Sequence, residues 1–416
     1  MGRLLLVVCL LLSPAAAQKK QVSEEEVRRV HRSALLIDTH NDVTGETVQG
    51  LDIGVRRASG HTDLPRLRAG GVGATFFAVY VAAQYVEGNR APYRALEMID
   101  TVRRDIVERY SNDFALALTA DEIVAARKRG KIAALLGIEG GHAIQDSLRL
   151  LRTFYQLGVR YMTLTHSNTN NWADSSGDLQ NPKVKHHNGL TELGKQIVGE
   201  MNRLGMMVDI SHVSDKTFWD ALEASQAPIF ASHSSCRALA GIDRNMTDEM
   251  IQALGKKGGV IQINFGCSFL SAKAAEASRE LFRELRGAPE ETAEQAAARR
   301  KARFAELRGK TPRATLDDAV AHIDRVVKLA GIDAVGIGSD FDGVNCVPTG
   351  LDDVSKFPNL TRALLEKGYT PEQIRKIYGG NTLRLMRAVE KTARELQAKA
   401  GRPSTPPARA LTGAAQ

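Results

Sequence analysis

Short apolar runs recur along the chain, and each is followed by a segment with helical spacing. Eight of the runs read as strands: "ALLIDTHND", "GATFFAVYV", "IAALLGIEGG", "YMTLTHSN", "MMVDISHVS", "PIFASHSS", "VIQINFG" and "AVGIGSDFDG". Between them, "SLRLLRTFYQLG", "GLTELGKQIVGEMNRLG", "DKTFWDALEAS" and "TLDDAVAHIDRVVKLAG" place apolar residues on one face of a helix. Several of these end in glycine, where a helix C-cap wants a left-handed residue. Eight strands alternating with helices are what a (β/α)8 TIM barrel of the α/β class requires. A doubly wound open sheet is the alternative arrangement.

Two stretches break the rhythm. After the seventh strand comes "AKAAEASRELFRELRGAPEETAEQAAARRKARFAELRGK", a charged, Ala-rich helical insertion that reads as a solvated hairpin. From Leu396 the chain becomes Gln-, Pro- and Ala-rich and cannot bury apolar surface, so residues 396–416 are expected to be a disordered tail. The opening "MGRLLLVVCLLLSPAAAQ" has Arg3, an apolar core from Leu4 to Leu12 and the small residues Ala15 to Ala17. It reads as a secretory signal peptide over residues 1–17, leaving 18–395 as the barrel domain of an exported, periplasmic or extracellular protein. The apolar core is too short to span a bilayer, and neither a second long apolar stretch nor a C-terminal lipid signal follows, so no membrane anchor is expected.

Composition changes the picture little. The chain has 416 residues, 43% of them hydrophobic, and a formal charge of +8. Its Lys and Arg are scattered or mixed with Glu, without a basic stripe interleaved with aromatics, which excludes nucleic acid as a partner. Cys9 leaves with the signal peptide, so Cys236, Cys267 and Cys346 remain. All three follow late strands. A bridge involving Cys267 needs Cα atoms within about 7 Å, and the expectation is three free, buried thiols.

Polar residues of one kind stand where the strands end. In "LLIDTHNDVTG", His40 and Asp42 are two apart, so on an extended segment they point the same way. Alone, that pair reads equally as a turn in which Asp42 caps the next element and His40 bonds locally. Glu139, however, ends the third strand, His166 the fourth, His212 the fifth, His233 the sixth, and Asp340 with Asp342 the eighth. A barrel opens all strand C-termini on one face, so these side chains converge. A single catalytic zinc takes three protein ligands and a water, whereas His40, Asp42, Glu139, His212 and His233 make five. With two oxygens, Glu139 can bridge two ions, His40 and Asp42 completing one and His212 and His233 the other.

Together, "DTHND", "GIEGGH", "LTHSNTNNWADS", "NRLGMMVDISHVS", "FASHSS" and "GSDFDG" resemble the membrane (renal) dipeptidase family, the M19 metallopeptidases of the amidohydrolase superfamily. The resemblance runs in order from about Ser33 to Met386. It implies a dinuclear zinc centre held by the five residues named, with Glu139 bridging. It further implies that His166 contacts the substrate carbonyl, that Arg244 in "GIDRNM" receives the substrate's terminal carboxylate, and that Asp340 is the catalytic aspartate. The substrate would be a small dipeptide, cleaved by a metal-bridging hydroxide whose proton passes through Asp340 to the leaving amine. A homodimer is left open. Animal members carry a lipid anchor and an interchain disulfide, which this tail and these cysteines do not support. The insertion and the loop "GDLQNPKVKHHNG" leave the pocket's outer wall undefined.

Two other functions fit the same residues. One is another amidohydrolase, acting on N-acyl-amino acids, lactones or β-lactams; the other is an exported binding protein without chemistry. Among the remaining histidines, His142 reads as a support for the site or a loop residue, and His186 and His187 as solvated. His322 reads as a packing or hydrogen-bonding residue on a helix face, and His31 and His61 as surface residues.

Overall fold

Apolar runs that are buried on both faces become parallel strands covered by helices. The computed structural model shows nine: β1 Leu36–Asn41, β2 Val72–Tyr80, β3 Phe114–Leu116, β4 Ile132–Glu139, β5 Val159–Thr163, β6 Met207–Asp209, β7 Phe230–Ser234, β8 Val260–Ile263 and β9 Val335–Ile337. It describes residues 21–285 and 312–401, and between them Gln295, Ala298, Arg299, Ala302, Arg303, Ala305 and Glu306. The sheet order is β2-β1-β9-β8-β7-β6-β5-β4, and β2 pairs with β4 to close the ring. That ring is the eight-stranded parallel barrel the pattern predicts. The ninth, β3, pairs only with the opening residues of β4, Phe114 opposite Ile132 through Leu116 opposite Ala134, and stays outside the ring.

The helices follow their periodicity. In Glu192–Leu204, Thr191 accepts a hydrogen bond from the Gly194 amide at the start, and Gly205 closes the end at φ 86°. The face between them buries Ile197, Val198, Met201 and Leu204. After β8, the seventh strand of the ring, Ala272–Leu285 is helical; most of the rest of the expected insertion lies outside the described residues. So do residues 1–17, expected to be a signal peptide, and residues 402–416 of the expected tail. The last helix, Asn381–Lys399, runs past Leu396, so the boundary set there is too early: Val389 and Ala393 still bury themselves and keep the helix growing. No helix among the described residues is long and apolar enough to cross a membrane.

The cysteine expectation is corrected. Cys267 and Cys346 form a disulfide with Cα atoms 5.4 Å apart, and among the described residues only Cys236 is a free, buried thiol. Cys267 follows β8 and Cys346 follows β9, adjacent strands, and the Cys267 amide donates to the Cys346 carbonyl at 2.9 Å. Spacing in the sequence carries no such distance. Thiol counting under denaturing, non-reducing conditions on protein lacking residues 1–17 should find one reactive thiol, and reduction should cost about 2–4 kcal/mol of stability.

Several histidines are better anchored than their sequence context suggests. His31 is buried, its Nε2 donating to the Gly70 carbonyl at 2.9 Å while Nδ1 lies 2.7 Å from Thr361 Oγ1. His187 is not solvated either: its amide donates to Asp174 and its Nε2 to the Asn170 carbonyl. His186 sits half-buried 3.8 Å from Asp174. His322 is the buried, hydrogen-bonded helix residue expected, accepting from the Cys236 amide at 2.9 Å.

Candidate metal centre

The C-terminal ends of the barrel strands bring the chemistry-bearing residues together. His40 lies within β1, His233 within β7, and Glu139 is the last residue of β4. Asp42, His166, His212 and Asp340 follow β1, β5, β6 and β9. The spacing of two across the end of β1 has its expected result, with His40 Nε2 3.2 Å from Asp42 Oδ2. His212 and Asp340 reach the same point by a different device, since their backbones are left-handed at φ 70° and 60°. Non-glycine residues rarely adopt that conformation, and it persists where surrounding structure holds it.

Glu139 stands in the middle. Its Oε2 lies 3.6 Å from His40 Nε2. Its Oε1 lies 2.9 Å from His212 Nε2, 3.3 Å from His233 Nε2 and 3.8 Å from His166 Nε2. Ligand atoms within 4.8 Å of one another define three groups: His40, Glu139 and His233; Glu139, His166 and His212; and His40, Asp42 and Asp340. The five residues singled out by strand position therefore meet. The structure adds His166 and Asp340 to their reach, and couples His40 to His233 with rings stacked at 3.8 Å.

The protonation of this cluster suits a cation. Burial alone would push the Glu139 carboxyl up, but His40, His166, His212 and His233 hold it well below the usual carboxylate range. Burial, helped by Arg244 and neighbouring imidazoles, keeps His212 and His233 well below the ordinary histidine range, neutral as metal ligands must be. At His40, burial opposes charge, yet Tyr161, Asp42 and Glu139 draw the imidazole well above its ordinary value. Negative charge at this point calls for a positive partner, and a metal ion supplies one.

Hydrogen bonds decide which ring nitrogens face the centre. Ser232 Oγ donates to Asp209 Oδ2 at 2.6 Å, so it accepts from His233 Nδ1 at 2.7 Å and leaves the unprotonated Nε2 facing Glu139 and His212. His40 Nε2 and Asp42 Oδ2 are both buried and lack hydrogen-bond partners among the described residues. Buried polar atoms in folded proteins are mostly paired, and an orphaned nitrogen and oxygen 3.2 Å apart beside the Glu139 carboxylate fit a metal site.

Around this cluster, Asn264 Nδ2 donates to Asp340 Oδ2 at 2.7 Å. Burial, then Asp42, raises the Asp340 carboxyl well above its ordinary value. Arg244 reaches Ser234 Oγ and the His233 carbonyl only at 3.4 Å, with its guanidinium 5.1 Å over the Phe269 ring. Burial brings it down to about 10 despite Asp340 and Glu139. Asp342 takes a different part: its Oδ1 accepts from the His61 amide at 2.7 Å, and its own amide donates to His61 Nδ1 at 2.9 Å. His61 is thus a loop anchor beside the site and not the surface residue expected. His142 is buried in the turn after Glu139, and burial lowers its imidazole to about 4. Asn264, Tyr161, Ser232 and Asp209 were missed; Asn264 carried a legible signal, a polar residue at the end of an apolar strand.

The sequence profile of the membrane dipeptidases, peptidase family M19, matches residues 24–400. The uncharacterized dipeptidase C965.12 of Schizosaccharomyces pombe is 34% identical over 400 residues, covering 92% of this chain and 87% of its own. Among solved structures, the probable dipeptidase PvdM of Pseudomonas aeruginosa superposes with a TM-score of 0.77 at 27% identity, over 89% of this chain and 98% of that one. A Rhodobacter sphaeroides metallopeptidase, liganded with a phosphinate mimic of the dipeptide L-Ala-D-Ala, gives 0.69 at 26% identity over 86% and 99%. With a closed barrel whose strand ends gather histidines around a buried glutamate, the chain belongs to the M19 membrane dipeptidase family and is a metal-dependent peptide-bond hydrolase.

Proposed function

We propose that this protein is an exported zinc dipeptidase with two zinc ions per chain, Glu139 bridging them, His40 and Asp42 completing one set and His212 and His233 the other. The observation that carries the proposal is the division of the Glu139 carboxylate, one oxygen toward His40 and the other toward His212 and His233. Export is supported by the Cys267–Cys346 disulfide, since such bonds persist in oxidising compartments. The dipeptide mimic held by the Rhodobacter sphaeroides relative supports dipeptides as the substrate class.

A zinc pair supplies a water of pKa near 7, lowered from 15.7, and a charge against the peptide carbonyl. The side chains do the rest. Asp340, held by Asn264 and raised in pKa by burial, takes the proton from water and returns it to the leaving amine. His166, whose imidazole burial keeps below its ordinary value, is neutral and donates an N–H to the oxygen that gains charge. Arg244 receives the substrate's terminal carboxylate.

Elemental analysis and a substrate panel test this reading. Two zinc ions per chain, and dipeptides cleaved faster than N-acyl-amino acids, lactones and β-lactams, are expected. Fewer than two tightly held ions, or a preference for an acylated amino acid, would overturn it.

Gly343 gives a sharper check on the acids. A Cβ there would lie 2.3 Å from both Asp340 Oδ1 and Asp42 Oδ2. Gly343→Ala should displace both carboxylates and lower kcat/KM for a dipeptide about 100-fold, the usual consequence of a misplacement near 1 Å. Unchanged kinetics would show that the two acids do not need their present positions.

A further inference from the structure

Behind His40 stands a phenol that the chemistry above does not use. Tyr161 lies in the middle of β5, fully buried, and its ring packs against Phe76 and Phe230 in the barrel interior. Its Oη is 2.8 Å from His40 Nδ1 and 3.2 Å from the Thr39 carbonyl. Opposite it in register on β4 is Gly137, where a Cβ would come within 1.9 Å of Tyr161 Cζ. The barrel thus gives up a side chain on one strand to let a ring from the next strand reach β1.

The two contacts of Oη fix the direction of both hydrogen bonds. A carbonyl oxygen only accepts, so the single phenolic hydrogen goes to Thr39. Oη then accepts from His40, which places the His40 proton on Nδ1 and the lone pair on Nε2, the atom facing Asp42 and Glu139. His233 is set in the same sense by Ser232, whose hydroxyl hands on to Asp209. For His212 Nδ1 there is no partner among the described residues. His40 and His233, whose rings stack at 3.8 Å, are therefore oriented by different groups, a neutral phenol behind one and a serine–carboxylate relay behind the other.

We propose that Tyr161 is a positioning residue for the metal centre: by accepting a hydrogen bond from His40 Nδ1–H it fixes the tautomer and ring angle with which His40 Nε2 would bind zinc. The proposal rests on the zinc reading above. Partners of this kind behind a metal-bound histidine contribute about 10- to 100-fold in metal affinity. Tyr161→Phe keeps the ring that fills the space above Gly137 and removes the hydroxyl, the acceptor for His40 and the donor to Thr39.

The test is zinc binding and thermal unfolding of the full chain, unmutated and Tyr161→Phe, each with zinc and after chelation. The expected variant loses one of its two zinc ions to a chelator at about 10- to 100-fold lower competing concentration, the other ion being retained as in the unmutated protein. Its zinc-free melting temperature should stay within about 3 °C of the unmutated value, while the rise on adding zinc shrinks. Equal zinc retention in both proteins would overturn the role of Tyr161 and leave the zinc reading standing. A variant that is unfolded, or melts far lower, without metal would assign Tyr161 to core packing and likewise overturn it. If the unmutated chain itself binds no zinc, both readings fall together.

Discussion

Glu139→Gln should release both of the proposed zinc ions and bring dipeptide hydrolysis close to background. The carboxylate is shared between His40 on one oxygen and His212 with His233 on the other, so the loss of its charge is felt by both sets. An amide keeps the shape but offers one oxygen in place of two, and no charge to offset the two cations proposed. The transition-state stabilisation at risk is several kcal/mol, so kcat/KM should fall at least about 1000-fold. His233→Ala, by contrast, should empty one position and spare the ion on His40 and Asp42. Metal content decides the matter: two zinc ions retained by purified Glu139→Gln would count heavily against a bridging carboxylate.

Arg244→Met should lower kcat/KM for dipeptides about 30- to 5000-fold, the equivalent of about 2–5 kcal/mol, mostly by leaving the substrate's carboxylate unpaired. The guanidinium is well placed for this, buried on Phe269 with only long contacts of 3.4 Å to Ser234 and His233. A planar guanidinium grips a carboxylate at two points, and a carboxylate one residue past the scissile bond exists only where the substrate ends. Chain length is then read as charge position. Dipeptide amides should be poor substrates for the unmutated enzyme and nearly indifferent to the substitution. Equal kcat/KM on a dipeptide and its amide would remove Arg244 from this role.

The barrel was legible because its strands are near-continuous apolar runs and its helices carry one apolar face, and both patterns survive in one dimension. The gathering of His40, Asp42, Glu139, His212 and His233 was legible for a related reason: in this architecture a residue's place at a strand end is also its place in space. Properties set by distance between remote segments were not. Cys267 and Cys346 are 79 residues apart, and only the adjacency of β8 and β9 makes them bonding partners. His31 and His61 look like surface residues until Gly70, Thr361 and Asp342 arrive from elsewhere in the chain. Tyr161 is hidden in the run "YMTL" because its function depends on the space left by Gly137. The left-handed backbones of His212 and Asp340 leave no mark on composition at all.

The seam between β1 and β9 has a consequence in time. The Ser339 amide and hydroxyl both donate to the Asp38 carboxylate, a contact made across 301 residues of chain. At about 5–20 residues per second, a growing polypeptide keeps its first strand waiting roughly 15–60 s for that neighbour to be synthesised. His40 is on the waiting strand with Asp42 just after it, and Asp340 comes with the one that relieves it. Contacts of such sequence separation also form slowly once both ends exist. Completion of the donor set is therefore among the last events in the life of the nascent chain, and uptake of metal during refolding should trail the appearance of helical signal, serving as a clock for ring closure.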